Sequence, residues 1–222
     1  MVPIPTVVSS STDQRAPLWL RTGFWACTAI AVAVVIRRIF ALAFPPRSAP
    51  PQLAALDTFF ASHAALTLAH ILPALAFVLV APLVVFRVPA RANWSGRIIF
   101  PLGAIVGLTA YAMSVDSVGG WMERSAVLFF NSLFLFSLFR AYRYRRQNDP
   151  PHERRWLLRS IAILLGIATT RPVMGVFFAT SPLTHLTPNQ FFGIAFWIGF
   201  SINTLVFELW IRSQDRRSQS VV

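Results

Sequence analysis

Lysine is absent from this chain of 222 residues, acidic side chains number eight, and cysteine occurs once, at Cys27. A single cysteine excludes an intrachain disulfide and any cysteine-based metal cluster. The shortage of charge says more: 13% of residues are charged and 55% hydrophobic, where a soluble domain carries roughly a quarter charged. No Asp, Glu, Lys or Arg falls between Thr58 and Phe86, between Ile98 and Val115, or between Pro172 and Phe207. A bilayer core of about 30 Å needs about 20 such apolar residues per helix, so these runs point to lipid as the solvent. The alternating pattern of a lipid-facing barrel strand is missing. In hydrocarbon every backbone N–H and C=O must then be satisfied within a helix. The predicted fold class is all-α, a polytopic transmembrane helical bundle.

Six spans are predicted, over Leu18–Phe40, Ala64–Phe86, Gly96–Ser114, Trp121–Phe139, Trp156–Thr180 and Gln190–Ile211. A seventh helix has room only in Pro51–Ser62. Turn chemistry separates the spans: Pro45-Pro46 and Pro50-Pro51, Gly119-Gly120, Pro150-Pro151, then Pro182 and Pro188. Trp94, Trp121 and Trp156 fall at predicted span ends, as an interfacial aromatic belt requires. The stretch Thr22–Ile36 resembles the first two parts of a signal peptide, but Arg37-Arg38 stand where small cleavage-site residues belong. It therefore reads as an uncleaved first helix. The expected organisation is a tail over 1–17, one membrane domain over 18–211 and a second tail over 212–222.

With lysine missing, twenty arginines alone define sidedness. Fifteen belong to one side: Arg15, Arg21, Arg87, Arg91, Arg97, Arg140, Arg143, Arg145, Arg146, Arg154, Arg155, Arg159, Arg212, Arg216 and Arg217. The other side holds Arg47 and Arg124, with Arg37 and Arg38 at the far end of the first span and Arg171 inside the fifth. Cytoplasmic loops retain positive charge during insertion, so both termini are expected in the cytoplasm of a multi-pass cell-membrane protein. Net charge of +12 invites a nucleic-acid reading. The position of the arginines, between apolar segments, argues for a lipid bilayer as the partner and against nucleic acid.

Within the spans, polar side chains are costly and tend to be functional. His63 and His70 are seven apart on the expected second helix, on one face and about 10 Å apart along the axis. Arg171 cannot neutralise itself and lies deep in the fifth span. Its neighbour Pro172 removes the N–H that would bond the carbonyl of Ala168. Helix rise puts His70 and Arg171 at similar depth in the outer half of the bilayer, where they could line one pocket with Tyr111, Asn131 and Asn203. The bland alternatives are packing histidines and an arginine that snorkels outward. Glu208 reads as an interfacial partner of Arg212, one turn on. Haem needs histidines on facing helices, and here His152 and His185 lie in loops; no cofactor and no metal are expected. Arg143, Arg145, Arg146, Arg154, Arg155 and Arg159 are candidates for lipid headgroups. Gly103-Ala-Ile-Val-Gly107 has the spacing for close helix approach. No Walker loop, dinucleotide fingerprint, zinc-protease box or nucleophile elbow is present.

The order of His70, Trp94-Ser95-Gly96-Arg97, Arg140-Ala-Tyr, His152-Glu-Arg-Arg-Trp156-Leu-Leu-Arg159-Ser160 and Arg171 resembles a bacterial family of multi-span membrane proteins known as a domain of unknown function. The resemblance covers about Ala61–Arg171, roughly half the chain. Family members often have a histidine shortly before the Trp-x-Gly-Arg stretch, where this chain has Ala92. The resemblance implies the membrane architecture and draws attention to His70, Arg159 and Arg171; it implies no activity. The residues themselves suggest a small-molecule ligand, anionic or quinone-like, or a proton relay. The rival readings are a membrane oxidoreductase or lipid-modifying subunit, and a structural subunit of a membrane complex.

Overall fold

The computed structural model describes residues 17–44, 51–86 and 92–219, without the side chains of 51–53, 55, 92–95, 215 and 217–219. Most of the N-terminal tail, Arg15, Arg47, Arg87, Arg91, Pro45-Pro46 and Pro50 lie outside the described residues, as do the side chains of Trp94 and Arg217. The described chain forms seven α-helices: α1 (Leu18–Ala43), α2 (Pro51–Ser62), α3 (Ala64–Val85), α4 (Ala92–Met113), α5 (Gly120–Arg146), α6 (Pro150–Thr184) and α7 (Pro188–Gln219). A single 3-10 turn, Ser114–Asp116, follows α4.

Six of these helices are long and apolar enough to cross a membrane: Leu18–Ala43, Ala64–Val85, Gly96–Asp116, Gly120–Arg146, Pro150–Thr184 and Pro188–Gln214. The alternative of a seventh helix within Pro51–Ser62 is met by α2, but its 12 residues extend only about 18 Å. That is too short for a bilayer core, and the count of spans stays at six. Large apolar side chains point away from the bundle throughout, among them Leu79, Leu108, Phe129, Leu205 and Leu209. A soluble protein would bury such a surface, whereas lipid accepts it.

Local chemistry explains where helices start and stop. Proline opens α2, α6 and α7, at the position where a missing N–H costs nothing. The Asp149 carboxylate caps α6 by accepting the N–H of His152 at 3.3 Å, and the His152 ring also approaches it at 2.8 Å. The His152 hydrogen bonds hold the Asp149 carboxyl below the usual carboxylate range. Asn148 and His185 take left-handed backbone conformations, at φ 53° and 55°, and each follows the end of a helix.

Helix α6 packs against α7, α5, α1 and α3 and is the centre of the bundle. Its contact with α7 runs over small residues. A Cβ on Gly199 would lie 2.6 Å from the Thr170 backbone nitrogen, and one on Gly166 would lie 2.9 Å from Cα of Phe200. At one end α7 also crosses the start of α5, where a Cβ on Gly193 would lie 2.6 Å from the nitrogen of Glu123. The Gly103/Gly107 spacing in α4 faces Leu138 and Leu135 of α5, a close approach of the kind expected.

Cross-helix contacts divide the two ends of the bundle. At one, Arg21 of α1 lies over the Phe86 ring after α3, Arg154 of α6 donates to the Val85 carbonyl, and Arg159 of α6 meets Glu208 of α7. This basic end holds the start of α1 and the close of α7. The opposite end gathers the close of α1, α2, the α2–α3 turn, the 3-10 turn and the starts of α5 and α7.

Candidate functional site

The opposite end carries a cluster of five charged side chains from four helices. Consecutive arginines near the close of α1 converge on one carboxylate of α2: Arg37 donates to both oxygens of Asp57, at 3.1 and 2.9 Å, and Arg38 donates at 2.7 Å. Asp57 is 8% exposed and Arg38 14%. The Arg38 guanidinium also lies 4.0 Å from the centre of the Phe60 ring, one turn beyond Asp57, so α2 is pinned to α1 by both charge and cation–π contact.

Arg171 of α6 completes the cluster. The charges acting on it most strongly are those of Arg38, Glu123 and Arg37. Its Nε is buried without a hydrogen-bond partner, and among the described residues no carboxylate comes within ion-pair distance of its guanidinium. Glu123, the nearest candidate, is committed to its own helix: its carboxylate accepts the Gly119 N–H at 2.6 Å and caps α5. The next residue, Pro172, has no N–H to give to the Ala168 carbonyl, yet α6 runs through it unbroken. Three guanidinium groups therefore share two carboxylates, both already hydrogen-bonded.

His70 belongs to a different neighbourhood. Its Nδ1 is 2.9 Å from Thr109 Oγ1 of α4. That hydroxyl also lies 2.7 Å from the Ile105 carbonyl of its own helix, so the histidine and the threonine form one polar link between α3 and α4. No hydrogen bond or ion pair joins His70 to Arg171. His63 departs from the sequence expectation: it is not on the helix of His70 but between α2 and α3, at φ −119° and ψ 38°. The two rings therefore do not share a helix face. His63 is exposed, 3.0 Å from Ser62 Oγ and 3.7 Å from Asp116.

The three remaining candidates make interhelical bonds. Asn131 of α5 donates to the Gly107 carbonyl at 2.9 Å. That bond fastens α5 to the small-residue face of α4. Tyr111 of α4 meets Ser132 of α5 at 2.7 Å. Asn203 of α7 accepts from Thr169 of α6 at 2.7 Å, and Cys27 of α1 sits 3.7 Å from the same hydroxyl. Thr169 and Arg171 are two residues apart on α6, which turns them about 200° from each other, so Asn203 serves a different face from the arginine cluster.

At the basic end, arginines fasten helix ends together. Arg145 reaches Glu153 at 3.2 Å, Arg154 takes the Val85 carbonyl at 3.0 Å, and Arg159 donates twice to Glu208, at 2.9 and 3.3 Å. Arg212 adds a third contact to Glu208 at 3.2 Å, so Glu208 pairs with Arg159 across the helices as well as with Arg212 along α7. Arg143, Arg146 and Arg155 extend the same basic belt. Among the described residues no three His, Cys, Asp or Glu side chains come together as a metal site requires. Sequence reasoning missed Asp57 and Glu123. A signal for Asp57 was present, since it is the one acid between Asp13 and Asp116 and follows the Arg37-Arg38 pair.

Six apolar spans, one of them central to the bundle, lipid-facing apolar side chains and charge gathered towards the two ends, with Arg171 the exception, define a polytopic helical membrane protein. Within that class the chain belongs to the family described as Predicted membrane protein (DUF2306), whose model matches residues 67–211, from within α3 to within α7. No curated protein and no solved structure matches the chain.

Proposed function

We propose that the cluster of Arg37, Arg38 and Arg171 binds a small anionic molecule, a carboxylate or phosphate, that enters from the end opposite the basic belt. The observation that carries this reading is Arg171: a permanently charged group inside a membrane span whose guanidinium has no carboxylate partner among the described residues. Such a charge is costly in a low-dielectric surrounding, and a bound oxyanion offsets that cost with paired, charge-assisted hydrogen bonds. Asp57 cannot serve as that anion, because Arg37 and Arg38 already occupy both its oxygens. Glu123 supplies only a distant charge. Ligand arrival would complete the site without breaking either contact.

The orientation is part of the same reading. The excess of arginine at the end that gathers the start of α1, the α5–α6 turn and the close of α7 supports a cytoplasmic basic end. The arginine cluster then opens to the outer side.

Native mass spectrometry of the detergent-purified protein, wild type beside Arg171→Gln, tests the binding. The expected result is a defined small-molecule adduct on the wild type that is lost from the variant. An adduct of equal occupancy on both proteins, or none on the wild type, would overturn the reading.

A further inference from the structure

A second site lies at the basic end, between α5, α6 and α7. There a half-open cleft of about 310 Å³ is lined mainly by apolar side chains, among them Leu133, Phe136, Ile163 and Phe207. Ligand pockets start at about 300 Å³, so the space suits one slender chain. Four polar side chains also line it, of which Ser137 is satisfied by the Leu133 carbonyl of its own helix at 2.8 Å. Arg159 and Glu208 line it near the basic end, and Thr204 stands one turn before Glu208 on α7, roughly 6 Å deeper. The Thr204 hydroxyl is buried and has no hydrogen-bond partner, an uncommon state for a helical threonine, which ordinarily donates back to its own helix.

Charge at the mouth is lopsided. Trp156 lines the cleft and lies between two guanidinium groups, that of Arg159 at 4.6 Å and that of Arg140 at 5.2 Å from its ring. Arg212 joins them through Glu208. Arg159 and Arg212 thus share one carboxylate, and Arg140, which donates to the Tyr144 hydroxyl at 2.9 Å, has no carboxylate partner among the described residues and a buried, unbonded Nε. Positive charge over an apolar slot, with an unused hydroxyl one turn inward, is complementary to an anion attached to a hydrocarbon chain through an ester.

We propose that this cleft is a binding site for an anionic phospholipid of the leaflet at the basic end. The phosphodiester meets Arg140 and Arg159, an ester carbonyl accepts the Thr204 hydroxyl, and one acyl chain fills the slot between α5, α6 and α7. The membrane supplies this ligand continuously.

The test titrates delipidated, detergent-purified protein with dioleoyl phosphatidylglycerol or dioleoyl phosphatidylcholine and reads bound lipid by native mass spectrometry. The expected result is at least fivefold greater retention of the anionic lipid. Retention of the anionic lipid is abolished by Ala162→Phe, which fills the cleft, and at least halved by Thr204→Val. Thr204→Val keeps the side-chain shape and decides the matter should the bulkier variant fail to fold. Equal retention of the two lipids overturns the proposal. So does retention of the anionic lipid undiminished by either substitution, which would assign the attraction to the surface arginines alone.

Discussion

Asp57 is the residue on which the arginine cluster depends. It is 8% exposed and is the shared acceptor of Arg37 and Arg38, so removing its charge leaves two cations facing each other with a third, Arg171, nearby. Breaking a fully buried pair costs about 3–5 kcal/mol. Arg37 is 45% exposed and is partly screened, which brings the expected cost of Asp57→Asn down to about 2 kcal/mol. Thermal unfolding in detergent measures this, and an unchanged midpoint would show that α2 contributes little to holding the close of α1. Arg171 was legible in the sequence because no other side chain keeps its charge so firmly at membrane depth. Asp57 was passed over, although it is the one acid between Asp13 and Asp116, because it lies in a segment between spans, where an acid usually meets water. His63 misled for a related reason: no glycine or proline interrupts Ala61–Leu72, so the helical period appears to run on through a residue where the backbone in fact breaks.

At the scale of helices, backbone approach decides which positions tolerate change. Gly193 of α7 lies so near the start of α5 that an added Cβ falls 2.6 Å from the nitrogen of Glu123 and 2.7 Å from the carbonyl carbon of Met122. Both are backbone atoms and cannot swing aside. Gly193→Ala must push α7 off α5, at an expected cost of about 1–3 kcal/mol. It also disturbs the α5 cap that commits Glu123. Gly175 of α6 is the control: no atom lies within 4 Å of its added Cβ, and Gly175→Ala is expected to stabilise the helix by about 0.5–1 kcal/mol. Unfolding of both variants in the same detergent checks the contrast, and equal shifts would mean that helix propensity, and not approach, governs both sites. Span positions were readable because lipid imposes a length and a composition on each helix. The α6–α7 contact was not. Gly166 and Gly199 sit on different helices with no common spacing, and only the folded bundle sets them opposite Phe200 and Thr170.

For the whole molecule, two independent facts bear on how it sits in the membrane: the structure collects the start of α1 and the close of α7 at one end, and the sequence collects its arginines there. The first agrees with an even number of spans; the second is what supports the proposed direction, through the retention of positive loops during insertion. Ser62, at the close of α2, and Asn148, in the turn before α6, are exposed marks for the two ends. Single cysteines at these positions, in a Cys27→Ser background, would be treated in intact cells with a membrane-impermeant maleimide. Ser62→Cys is expected to react at once, and Asn148→Cys only after the membrane is opened. The reverse order would turn the bundle over. The cytoplasm would then supply the anion for Arg171, and the cleft between α5, α6 and α7 would draw its lipid from the outer leaflet. The arginine cluster and the cleft would keep their chemistry, because each is built from contacts inside the bundle, but their sources of ligand would be exchanged.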